Sequence, residues 1–197
     1  MTKVYAAMGS ELLVVDRRNG GWHADRRLVA SSPQCVAVDP LRPECLFCGT
    51  FDKGLWRSAD AGDSWEPVGA DIAQNAVMAV AVSPVEQANG HGVVYAGTEP
   101  SALHRSEDGG ESWEDLREMR ELPSPPEWGF PPRPEISHVR WILPDPAVTG
   151  RLYYAAIEAG ALIRSHDGGQ TWQDRVPDGP RDTHTLAAHK EAPGRLY

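Results

Sequence analysis

Three stretches of this 197-residue chain gather the residue types that acid–base or hydrolytic chemistry uses. They are Ser58-Ala59-Asp60-Ala61-Gly62-Asp63-Ser64-Trp65, Ser106-Glu107-Asp108-Gly109-Gly110-Glu111-Ser112-Trp113 and Ser165-His166-Asp167-Gly168-Gly169-Gln170-Thr171-Trp172. Each sets an aspartate two residues after a serine and four before a second hydroxyl. Two roles suit that spacing: catalysis by the carboxylate, or closure of a tight turn. The turn suits it better. A short carboxylate accepts backbone N–H bonds within the turn, glycine supplies positive φ, and an adjacent tryptophan packs its ring beneath the loop. The structural set is therefore Ser58, Asp60, Gly62, Trp65, Ser106, Asp108, Gly110, Trp113, Ser165, Asp167, Gly169 and Trp172. The Asp108-Gly109-Gly110 run lacks the Gly-Lys-Ser/Thr ending of a phosphate loop, which removes that chemistry.

A second set lies apart from these boxes. Glu135-Ile136-Ser137-His138-Val139-Arg140-Trp141 leads into a strand-like run where the matching runs elsewhere hold plain apolar residues. A period of two puts His138, Arg140 and Ile142 on one side, with Val139, Trp141 and Leu143 on the other. Glu158 follows Ala155-Ala156-Ile157, in place of the threonine pattern near Thr50 and Thr98, and His184 begins a further polar run. With Trp128 and Phe130, the residues Glu135, His138, Arg140, Glu158 and His184 form the candidate pocket; ordinary wetted lining is the alternative. His91, His104 and His166 stand singly. Cys45 and Cys48 are spaced C-x-x-C without a second pair or a histidine partner. No metal and no cofactor are expected, and the three cysteines read as buried, reduced thiols of a cytoplasmic protein.

These residues must be held by a repeating scaffold. Upstream of each box lies a strand phrase: Cys45-Leu46-Phe47-Cys48-Gly49-Thr50, Gly92-Val93-Val94-Tyr95-Ala96-Gly97-Thr98, and Gly150-Arg151-Leu152-Tyr153-Tyr154-Ala155-Ala156-Ile157. Before each comes another apolar run ending near Pro40, Pro84 or Pro144, where the missing N–H predicts that the strand stops. Each unit reads as four antiparallel strands, a propeller blade. The box tryptophans repeat at intervals of 43, 48 and 59 residues from Trp22, which ends a worn first copy. The blades span approximately 1–30, 31–70, 71–118 and 135–178, with the start of a further one at 182–197. Prolines 123, 125, 126, 131, 132 and 134 predict an extended loop over 119–134 and leave room for one helical turn near Leu116 to Arg120. Glu86 to Gly92 reads as a flexible loop.

The Ser/Thr-x-Asp-x-Gly-x-Ser/Thr-Trp signature resembles the BNR or Asp-box repeat of sialidase-like β-propellers. The resemblance implies an all-β fold in which the box closes the hairpin between the third and fourth strands of a blade. It implies no single activity, because members include sialidases, xyloglucan-cleaving glycosidases, receptors and assembly factors. The Arg-Ile-Pro phrase of sialidases is absent; the nearest arginines are Arg17 and Arg18.

The chain is expected to be a partial propeller, about four blades of a six- to eight-bladed ring, whose open edges favour self-association. Thr183 to His189 is expected to open the fifth blade as an inner strand, followed by Gly194-Arg195-Leu196-Tyr197. The expected role is a ligand- or protein-binding scaffold taking a carbohydrate, small molecule or protein partner. The rival is a glycoside hydrolase using Arg140 with Glu135 or Glu158, which requires two carboxylates about 5–9.5 Å apart; catalytic residues are not assigned. A net charge of −9 and the absence of a basic cluster argue against nucleic acid and anionic membrane.

Overall fold

The computed structural model describes residues 2–148 and 152–197. The Gly150-Arg151 start of the third strand phrase thus lies outside the described residues. Four antiparallel sheets follow one another along the chain. The first holds β1 (Lys3–Met8), β2 (Glu11–Arg18) and β3 (Gly21–Arg27). The second holds β4 (Pro33–Val38), β5 (Leu46–Thr50), β6 (Leu55–Ser58) and β7 (Glu66–Val68). The third is β8 (Ala76–Ala88), β9 (His91–Glu99), β10 (Leu103–Ser106) and β11 (Glu114–Asp115). The fourth is β12 (Val139–Pro144), β13 (Leu152–Ile157) and β14 (Ala161–Ile163), extended by a single bridge between Arg164 and Gln173. Strand order within each sheet is the order of the chain. No α-helix occurs among the described residues, and no helix is long and apolar enough to cross a membrane.

The cores lie between successive sheets. Phe47 and Leu55 of the second pack with Val77, Val94, Ala96 and Trp113 of the third. Tyr95 and Leu103 of the third pack with Val139, Ile142, Ile157 and Ile163 of the fourth. Strands clamped between two such layers must be apolar on both faces, which is why β9 is buried from Gly92 to Glu99. Gly97 permits one of the closest of these approaches: a Cβ there would lie 2.5 Å from Cγ1 of Val139.

The inner strands β4, β8 and β12 share one irregularity. Pro33 pairs with Thr50 and Cys35 with Gly49; Val77 pairs with Thr98 and Ala79 with Gly97; Val139 pairs with Ile157 and Trp141 with Ala156. Gln34, Met78 and Arg140 are therefore the extra residues of three equivalent β-bulges. The strict alternation expected of His138 to Leu143 fails for this reason. Val139 and Ile142, of opposite parity, are both buried in the same core.

Other expectations are corrected. β8 does not stop at Pro84 but continues to Ala88, because the proline falls where the ladder lapses between Val82 and Gln87. Residues 86–92 are no flexible loop. Asn89 and Gly90, both with positive φ, close a two-residue hairpin between β8 and β9, as Asn19 and Gly20 do between β2 and β3. That compact turn replaces the box in the first sheet, and Trp22 has no loop to fill and is exposed. The proline-rich stretch is folded, not extended. The expected helical turn is present as the 3-10 turn Arg117–Glu121, but a second follows at Pro125–Glu127, and then a closed loop in which the Phe130 N–H donates to the Ile136 carbonyl at 2.7 Å. Prolines at the first positions of a turn lose no needed N–H, which reconciles composition with helix. Thr183 to His189 forms no ladder strand; Ala187 exchanges two backbone bonds with Tyr197, and the His189 carbonyl accepts the Ala192 N–H in a turn.

Candidate functional site

The boxes sit at one end of the second, third and fourth sheets, each just after the sheet's third strand. Their hydrogen bonds repeat almost atom for atom. Ser58 Oγ donates to Asp60 Oδ1 at 2.8 Å and accepts the Gly62 N–H at 2.8 Å. Asp60 then accepts the Ser64 N–H at 2.8 Å and the Ser64 hydroxyl at 2.6 Å, and the Trp65 indole donates to the Gly62 carbonyl at 3.2 Å. Ser106, Asp108, Ser112 and Trp113 form the same set around Gly110. So do Ser165, Asp167, Thr171 and Trp172 around Gly169. The three glycines lie at φ +87°, +90° and +92°, where a side chain is strained.

These carboxylates carry the electrostatic mark of acceptors held by donors. The Ser64 hydroxyl and N–H lower Asp60 to about 2. At Asp108 desolvation pushes upward, but the Ser112 hydroxyl and N–H outweigh it and the result is again about 2. An acid held so low has no proton to donate near neutral pH, so the boxes do not supply a general acid. They face the neighbouring blade instead: a Cβ on Gly62 would meet Tyr5, one on Gly110 Phe47, and one on Gly169 Leu116.

The opposite end of the blades, where the bulges lie, differs from sheet to sheet. Its centre is His138, immediately before β12 and 4% exposed. The His138 Nε2–H donates to Glu158 Oε2 at 2.8 Å, while Nδ1 faces Glu99 Oε2 at 3.2 Å, off the line a hydrogen bond needs. Glu99 ends β9 and is gripped from outside by Arg133, with Nη1 at 2.7 Å from Oε1 and Nη2 at 2.8 Å from Oε2. Such a two-pronged pair fixes both the position and the plane of the carboxylate. Arg140, the bulge residue of β12, places Nε 3.5 Å from Glu158 Oε2. Exposed His184 lies 3.7 Å from Glu158 Oε1 and 3.0 Å from Asp182 Oδ1. The Phe130 ring meets His138 edge-on at 5.2 Å, and the Arg133 guanidinium lies over the rings of Phe51 and Phe130 at 5.9 and 5.5 Å.

Of the residues picked out in the sequence, His138, Arg140 and Glu158 converge, with His184 at the margin. Trp128 does not join them. Its ring is buried in the core against Gly160, and its indole donates to Ser124 Oγ at 2.9 Å. Glu135 is exposed in the loop ahead of His138, and no bond joins it to the cluster among the described residues. Glu99, Arg133 and Phe51 were missed. Aligning the repeats reveals two of them, since Phe51, Glu99 and Glu158 occupy one repeat position, just past the end of the second strand or at its last residue. Arg133 has no counterpart in other repeats and left no such signal.

Beside the cluster opens a groove of about 470 Å³ lined by the inner strands β4, β8 and β12, with Gln34, Met78 and Arg140 among its walls. No group of three or more His, Cys, Asp or Glu residues able to hold a metal ion occurs among the described residues. Burial pushes the Cys35 thiol up to about 12 and raises Cys48 as well, so neither is a ready thiolate ligand.

The BNR/Asp-box repeat model matches residues 163–174, the third box and its flanks. None of the curated proteins matches. Among solved structures, a GH74 enzyme from Niastella koreensis is 17% identical with a TM-score of 0.60, over 88% of this chain and 27% of that one. A GH74 xyloglucanase from Xanthomonas campestris is 18% identical with a TM-score of 0.57, over 89% of this chain and 28% of that one. YCF48 from Cyanidioschyzon merolae is 18% identical with a TM-score of 0.48, over 73% of this chain and 39% of that one. The chain thus spans less than a third of the length of either GH74 protein, and at these identities the likeness is one of fold. Four antiparallel sheets in sequence and three boxes of one pattern give this chain a propeller-type fold, and its third box carries the BNR/Asp-box repeat.

Proposed function

We propose that the chain is a ligand-binding propeller scaffold whose recognition centre is the cluster of Glu99, Arg133, His138, Arg140 and Glu158. One observation carries this reading: a histidine 4% exposed stands between carboxylates from two successive sheets, and arginines reach those same carboxylates from the solvent side. A stability role alone does not require such a concentration of charge, since the equivalent position of the second sheet is filled by Phe51. The class of ligand is a carbohydrate, a small molecule or a segment of a protein. The three free thiols support a reducing, cytoplasmic setting.

A glycoside hydrolase built on Glu99 and Glu158 is the second reading, favoured by two carboxylates converging on one imidazole. The double grip of Arg133 on Glu99 weighs against it, because a carboxylate so engaged is a poor proton carrier. Binding to immobilised glycans and a small-molecule panel tests the proposal, with Arg140→Ala alongside the unaltered protein. Ligands retained by the unaltered protein and lost by Arg140→Ala support it; ligands retained equally by both overturn it. Turnover of aryl glycosides abolished by Glu158→Gln would replace it with the hydrolase.

A further inference from the structure

Of the cluster only Arg140 reaches the groove, at its mouth. Beyond it the walls are apolar: Val80 from β8 and Trp141 and Leu143 from β12 line it, and Pro84 and Pro144 stand at the far end. Arg140 is the single charged residue among the described lining residues. The bulge does not demand that charge, because its equivalents in β4 and β8 are Gln34 and Met78. Glu158 does not fully engage it either. A separation of 3.5 Å exceeds the length of a strong charge-assisted bond, and the Arg140 side chain is 40% exposed. Trp141 beside it is 39% exposed, a large apolar surface left facing the groove.

An apolar trough with one cation at its mouth is complementary to an amphipathic molecule with one anionic end. Its volume of about 470 Å³ lies within the range of small-molecule sites. We propose that the groove binds a ligand of the fatty-acid class. The carboxylate pairs with Arg140, and the acyl chain lies along β8 between β4 and β12, toward Pro84 and Pro144. The proposal rests on the ligand-binding reading above and adds the ligand's class. The driving force is removal of two apolar surfaces from water, with the ion pair setting direction and selecting the head group.

Titration calorimetry with sodium dodecanoate, below its micelle concentration, and with dodecanol as the uncharged control tests it. One saturable dodecanoate site is expected. Arg140→Gln should weaken dodecanoate by about tenfold or more, the worth of a charge-assisted bond, and change dodecanol by less than about twofold. Trp141→Ala, at a half-exposed position facing the groove, should weaken both ligands. Absence of saturable binding, or equal effects of Arg140→Gln on the two ligands, overturns the proposal. So does a dimer in sedimentation that dodecanoate leaves unchanged, which would assign the groove to a second copy of the chain. Should dodecanoate fail while Arg140-dependent ligands persist in the panel above, the ligand class falls and the binding role stands. Loss of both results overturns both.

Discussion

The two ends of the blades were built by one repeat and have different characters. At the box end, three loops use the same serine, aspartate, glycine and tryptophan, with matching bonds that agree to within a few tenths of an ångström. At the bulge end the backbone repeats equally well, yet the side chains diverge: Gln34, Met78 and Arg140 at the bulges, and Phe51, Glu99 and Glu158 at the second-strand ends. A turn with positive φ and internal donors tolerates few residue types, so the boxes cannot drift. A bulge fixes the backbone and leaves the outward side chain open. Repetition of side chains therefore marks architecture in this molecule, and departure from repetition marks the place to look for function.

That contrast can be broken by substitution. The largest effect belongs to the box end. Trp113→Ala removes a buried ring from the core between the second and third sheets and should cost about 3–5 kcal/mol in denaturant unfolding. Trp172→Ala should cost less, because that ring is only partly buried. Neither should change ligand affinity in material that remains folded. His138→Ala comes next. It leaves the Glu99 and Glu158 carboxylates without their shared partner and should cost about 2–3 kcal/mol while abolishing ligand binding. A stability loss without any binding loss would make the cluster architecture too.

Acid unfolding probes the boxes alone. Asp60 and Asp108 are held at about 2 in the folded chain against an ordinary 3.8. A depressed folded value means that the contribution is complete above the unfolded pKa and vanishes as pH falls through the folded one. Stability should therefore decline between about pH 4 and pH 2. The double variant Asp60→Asn with Asp108→Asn should flatten that decline; an unchanged slope would show that the box carboxylates do not drive it. The smallest effect on stability is expected from Arg140→Ala, under about 1 kcal/mol for a half-exposed pair at 3.5 Å, although it is the substitution expected to remove binding. A large stability loss there would erase the distinction between the two ends.

Legibility followed the range of the interactions. Each box is closed by bonds spanning at most four positions, so its residue types and spacing alone specify it. The four sheets follow from the same logic, since every strand pairs with a neighbour in sequence. The Asn-Gly turn at 89–90 was also local and readable, and the proline at position 84 concealed it. The recognition centre is different in kind. Glu99, Arg133, His138 and Glu158 come from separate sheets and from a loop whose path no repeat dictates. Trp128 shows the converse: an aromatic residue beside the proposed pocket in sequence was drawn into the core by the packing of Gly160 and the bond to Ser124.

By itself, then, the sequence determined the boxes, the number of sheets and their hairpin order, because turn chemistry and strand pairing act between near neighbours. Only the tertiary structure decided which end carries the charge cluster, that Glu99 and Arg133 belong to it, and that an apolar groove runs from Arg140. Those facts depend on how one sheet packs against the next, where a single bulge in β12 turns an arginine out of the core pattern and into the open.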